Sequence, residues 1–112
     1  MSTTYNTENL IAGDVKTDQA RLAADTYYRG MPLAYTEDSG DGYYSYSVTQ
    51  ANVCAVFCEP ETRTLSAAGF GSVILGGDIY EGGLVDSSGD TLTITDDFIA
   101  AVAKNGLYIK RA

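Results

Sequence analysis

The chain has 112 residues, enough for one domain with a modest core, and carries 15 acidic against 7 basic residues with no histidine, a net charge of −8. Neutralising phosphates takes clustered lysine and arginine, yet the cations are mostly scattered singly (Lys16, Arg21, Arg29, Arg63), with only Lys110 and Arg111 adjacent. Neither nucleic acid nor an anionic membrane surface is therefore expected as a partner. Residues 1–9 have neither the basic start nor the apolar stretch of a secretory signal. No apolar run approaches the roughly 20 residues of a membrane-spanning helix, so the chain is expected to stay in the cytoplasm where it is made.

The first nine residues are polar, rich in Thr, Ser and Asn, and read as a flexible arm ahead of one β-rich domain over residues 10–112. Order is expected to start at Leu10, Ile11, Ala12 and Gly13. Between Asp14 and Arg29 the pattern is weak, and Arg21 to Tyr28 fits a helical turn or an extended segment. Gly30 marks a bend. Met31 to Thr36 reads as a strand, with Pro32 placing a strand start or a sheet edge there. Residues 37–42 (Glu-Asp-Ser-Gly-Asp-Gly) are a turn by composition.

From Tyr43 to Thr49 the chain alternates, with Tyr44, Tyr46 and Val48 on one face and Tyr43, Ser45 and Ser47 on the other, the period of a half-buried strand. Val53 to Cys58 is apolar on both faces and reads as a central, doubly covered strand ended by Pro60. Gly71 to Ile79 is the next β segment, with a bulge or close backbone approach expected at Gly76 and Gly77. Asp86 to Asp90 is a turn, and the β-branched run Thr91 to Thr95 a short strand. One short helix follows: Thr95 or Asp96 as N-cap, Asp97 at the positive end of the dipole, Lys104 in the last turn, and Gly106 as the left-handed stop. Phe98 with Val102 and Ile99 with Ala103 form its apolar stripe. Leu107 to Lys110 closes the chain as a strand. The fold expected is mainly β, a small single domain with one short C-terminal helix.

No residue set carries a catalytic arrangement, and an enzyme is not expected. There is no histidine to serve as a base, and no serine or cysteine lies in a Gly-x-Ser-x-Gly elbow. Asp38, Asp41, Asp86 and Asp90 all fall in Gly/Ser-rich turns, where Asp normally bonds its own backbone. Asp86, Ser88 and Asp90 imitate half of a calcium loop, but Thr91 stands where glycine is required and the twelfth position is Asp97, at the helix start. Gly69 and Gly71 lead into a strand, the wrong context for a phosphate loop. Cys54 and Cys58 lack the further ligands of a zinc site. On an extended segment they would stand about 13 Å apart, beyond disulfide reach. They read as small buried hydrophobes. No metal and no cofactor is expected. The aromatic residues are nine tyrosines, three phenylalanines and no tryptophan. Tyr43, Tyr44 and Tyr46, close together in one strand, are either ordinary sheet chemistry or an interface, because tyrosine offers contact area with a polar tip.

Three stretches resemble the bacteriophage head decoration (capsid-stabilising) proteins of the phage lambda type. They are Leu10 to Asp14 (Leu-Ile-Ala-Gly-Asp), Leu22 to Leu33 (Leu-Ala-Ala-Asp-Thr-Tyr-Tyr-Arg-Gly-Met-Pro-Leu), and Gly71 to Ile79 followed by Phe98 to Lys110. Together they run from residue 10 to residue 110 in the family's order; the tyrosine-rich strand and the two cysteines lie outside the resemblance. It implies a β-clip-like domain that assembles as a homotrimer on the outside of an expanded capsid. Its partner would be the major capsid protein, and its final location the virion. The capsid-contacting arm would include Thr3, Thr4, Tyr5, Asn6, Leu10 and Ile11, with Tyr43, Tyr44 and Tyr46 as a possible interface. A phage tail or fibre accessory, or a carbohydrate-binding module stacking sugars on those tyrosines, is the alternative.

Overall fold

The computed structural model describes residues 10–38, 41–49 and 52–111. The domain is mainly β, with eight strands and one α-helix, α1 (Asp96–Ala103), among the described residues. A six-stranded sheet runs in the order β1 (Ile11–Leu22), β4 (Asp41–Tyr46), β3 (Pro32–Asp38), β5 (Val53–Phe57), β7 (Gly69–Tyr80), β8 (Leu107–Lys110), and β1 also pairs with β7. That extra pairing makes the sheet barrel-like. A strand has two hydrogen-bonding edges; β1 takes one edge of β7 from Gly69 to Ile79. The other edge is divided between β5, at Val73 and Ile74, and β8, from Gly77 to Tyr80. Closure on the far side is thin: β1 meets β4 in parallel at Leu22 and Tyr44, supported by the Ala23 amide donating to the Tyr44 carbonyl at 3.0 Å. A two-stranded ribbon, β2 (Asp25–Tyr27) with β6 (Arg63–Leu65), lies beside it.

Two apolar clusters fill the two sides of the sheet. One gathers Leu22, Tyr27, Met31, Leu33, Ala55, Phe57 and Val73; the other packs Leu10, Val53, Val56, Ile74, Ile79 and Leu84 against Ile94, Phe98 and Val102 near the helix. Alternation alone would put Val53 with Ala55 and Phe57. Instead Leu33 faces Ala55 and Ala34 faces Val53, so Cys54 is an extra residue that turns Val53 to the helix side. β7 uses the same device. Lys16 faces Gly76 while Thr17 faces Ile74, leaving Leu75 as the extra residue, so Ile79 shares a cluster with Ile74 although five positions separate them. Gly77 completes that bulge at φ 117°, and a Cβ there would collide with the Asp14 carbonyl and Val15 Cα.

The strand at Val53 to Cys58, the bulge at Gly76 and Gly77, and the closing strand stand where the sequence places them. So does the helix: Thr95 is its N-cap, its hydroxyl accepting from the Phe98 amide at 3.2 Å, and Gly106 takes φ 92° two residues past the C-cap Lys104. Where the sequence left two readings open, the structure takes one of them: Arg21 to Tyr28 is extended, ending β1 and forming β2, and Pro32 starts a strand, β3, that is central between β4 and β5. The weakly patterned stretch from Asp14 forms most of β1. Two expectations change. Thr91 to Thr95 is not a strand; it keeps one isolated bridge, Thr91 to Val85. Cys54 and Cys58 are thiols that are only half buried.

Tyr27 ties the first cluster to the backbone. Its hydroxyl donates to the Ala23 carbonyl at 2.6 Å, its ring lies 5.5 Å from that of Phe57, and burial, then the Asp25 charge, pushes its pKa up to about 12. A phenol pKa raised on folding favours the protonated native form. Stability is then constant below about pH 9 and falls as pH rises from about 10 towards 12. Urea melts across that range should show the fall, and Tyr27→Phe should flatten it while costing about 1–2 kcal/mol at neutral pH from the unpaired Ala23 carbonyl. Gly77→Ala should cost about 2–3 kcal/mol through strain at the bulge; an unchanged melt would show that the β1–β7 approach is looser than described.

Candidate interaction surface

Of the residues expected in the capsid-contacting arm, Thr3, Thr4, Tyr5 and Asn6 lie outside the described residues. Leu10 and Ile11 belong to the folded domain and not to an arm. Leu10 is completely buried, and its carbonyl accepts from the Tyr80 amide at 2.7 Å. Ile11 pairs with Ile79 and packs against the same cluster. Burying an aliphatic side chain of this size is worth about 1.5–3 kcal/mol, so Leu10 is held in the core.

The three strand tyrosines divide between faces. Tyr44 and Tyr46 turn inward and pack half-buried against the cluster of Leu22, Met31 and Leu33. Burial, followed by Cys54 and Tyr35, raises the Tyr44 phenol above its ordinary value. Burial and then Asp86 do the same for Tyr46, offset by a backbone hydrogen bond from Ser87. Tyr35, opposite Tyr44, meets it edge-on with ring centroids 5.2 Å apart. Tyr43 points the other way. The three therefore form no shared platform, either for a partner or for stacking a sugar: two belong to the core.

The outward face offers a different set. Phe70 on β7 pairs with Arg21 on β1, and the Leu22–Tyr44 register sets Tyr43 of β4 beside Arg21. The Arg21 guanidinium carbon lies 6.0 Å from the centre of the Tyr43 ring, at the limit of a cation–π contact worth about 0.5–1 kcal/mol when exposed. Phe70 is 61% exposed, the most open of the large hydrophobic side chains described. Next to it on the same face, the Gln19 amide donates to the Ser72 hydroxyl at 2.7 Å. An aromatic–guanidinium–aromatic row of this kind matches the residue types that concentrate binding energy at protein interfaces, apart from tryptophan. Sequence reasoning isolates Tyr43 but misses Phe70 and Arg21, because strand register alone brings the three together.

The acidic turn behaves as its composition indicates. One Asp86 carboxylate oxygen accepts from the Ser88 amide at 2.8 Å and the Asp90 amide at 3.0 Å, and Gly89 adopts φ 84°. Glu59 is likewise occupied, accepting from the Ser72 amide at 2.8 Å and pairing with Arg63 at 2.9 Å. Among the described residues no three His, Cys, Asp or Glu side chains gather as metal ligands would, and no helix is long and apolar enough to cross a membrane. No family model, no curated protein and no solved structure matches the chain.

The split between the tyrosine faces is directly measurable. Tyr44→Ala should cost about 2–4 kcal/mol in urea unfolding, and Phe70→Ala should stay within about 0.5–1 kcal/mol of the parent. Equal losses would mean that Phe70 packs into the fold and is not available as a contact surface.

Proposed function

We propose that this chain is a non-enzymatic structural protein that binds the outside of an expanded bacteriophage capsid, as a homotrimer, and stabilises the shell. The observation that carries the reading is the outward row of exposed Phe70 with half-buried Arg21 and Tyr43 on an otherwise acidic β domain. A surface of that composition serves contact, not chemistry. The resemblance of those three stretches to head decoration proteins supplies the partner, the major capsid protein.

Binding energy does all the work in this proposal. Contact between copies uses the outward row; residues 2–9, preceding the Leu10 anchor, add main-chain and polar contacts to the shell. A partner that binds only the assembled, expanded shell stabilises it by mass action. Copies that are weakly associated in solution can still join on the shell, where their local concentration is high. The net charge of −8 keeps the protein away from packaged nucleic acid.

Co-sedimentation with expanded, empty shells of the cognate phage tests this. Saturation at three copies per local three-fold site, with a higher shell melting temperature, is expected; shells that pellet bare at saturating protein contradict it. Deleting residues 2–9 should leave the far-ultraviolet circular dichroism and melting temperature unchanged while abolishing shell binding. Unchanged affinity would remove those residues from the contact.

A further inference from the structure

The segment Thr91 to Thr95 has the alternation of a strand without a strand's partner. Ile94 is buried and Leu92 half-buried, while Thr91, Thr93 and Thr95 face outward. The Leu92 amide donates to the Leu84 carbonyl at 3.0 Å, and there the pairing stops: among the described residues, the main-chain groups of Thr93 and Ile94 bond to nothing. Shallow grooves of about 230 Å³ and 360 Å³ flank the segment and share Leu92 and Thr93 as lining, with Val48 and Phe98 in one and Glu81 and Gly82 in the other. Threonine and isoleucine in this pattern favour pairing, and open amides and carbonyls on an extended segment are a template for another strand.

We infer that Thr91 to Thr95 is an edge completed by an extended, lysine- or arginine-bearing segment of the partner protein, added as a strand. Charge selects that occupant. Asp90, Asp96 and Asp97 flank the segment in sequence and Glu81 lines a groove, whereas the one guanidinium placed among them, Arg111, is shared between Glu81 at 3.1 Å and Asp96 at 2.7 Å. Main-chain bonds would supply affinity and the acidic rim would orient a cationic strand. The inference rests on the shell-binding reading, which makes the shell subunit the donor of that strand.

Hydrogen exchange on the full chain, free and saturated on expanded shells, tests it. In the free protein the amides of Thr93 and Ile94 should exchange rapidly at any concentration, and on shells they should slow by at least about tenfold. Thr93→Pro removes the amide donor and Thr93→Lys opposes a cationic strand. Each should weaken shell binding by about tenfold or more with an unchanged melt, Thr93→Lys deciding the matter if the proline variant does not fold. Slow exchange in the free chain overturns the inference. If independent of concentration it assigns the edge to the chain's own residues 1–9; if concentration-dependent, to a second copy. Tight shell binding with unaltered exchange overturns this inference and leaves the proposed function standing, whereas absence of shell binding overturns both.

Discussion

The two edges of β7 organise this domain. One edge is occupied along nearly its whole length by β1; the other is shared end to end by β5 and β8. With three neighbours on one strand, the sheet curls towards closure and the two clusters are separated by a single layer of backbone. The bulge at Leu75 to Gly77 lets β7 serve both: it reverses which side chains face which cluster, so Val73 packs with Phe57 and Ile79 packs with the helix. The bulge depends on Gly77, whose positive φ and contact with the Asp14–Val15 backbone exclude a side chain.

That arrangement also fixes what the surface presents. Because β1 is held by its backbone ladder with β7, its side chains are free to be polar, and Asp14, Lys16, Thr17, Asp18 and Gln19 all face solvent. The same ladder sets Arg21 against Phe70, and the narrow parallel contact with β4 brings Tyr43 alongside. The outward row is therefore a product of register. The anchoring of Leu10 by the Tyr80 amide is part of the same ladder, so the point from which residues 1–9 depart belongs to the rigid body of the domain.

Elements whose information is local were legible in the sequence. The helix is specified by Thr95, by Phe98 and Val102 one turn apart, and by Gly106; the acidic turn by Asp86 reaching its own backbone; β5 by an apolar run too rich for a one-sided strand. Elements whose information is non-local were not. β1 has no hydrophobic period because its register against β7 shifts twice, and only Ile11, Val15, Ala20 and Leu22 reach the clusters while Lys16 to Gln19 stay exposed; β2 and β6 are three residues each. Pro32 signals a strand start correctly, but its missing amide does not require an edge when it heads the strand. Thr91 to Thr95 carries strand chemistry and, among the described residues, its backbone pairing stops at Leu92. Tyr44 and Tyr46 are indistinguishable in sequence from surface tyrosines until β4 is seen to lie over Leu22 and Leu33.

The account's central claim is that this fold acts through surfaces, by self-contact across the outward row on a capsid. A cryo-electron microscopy reconstruction of expanded shells saturated with the full chain addresses it most directly. The account predicts three copies around each local three-fold axis, with Phe70, Arg21 and Tyr43 buried between neighbours. Bare shells, or bound copies that meet through other faces with that row open to solvent, would contradict it.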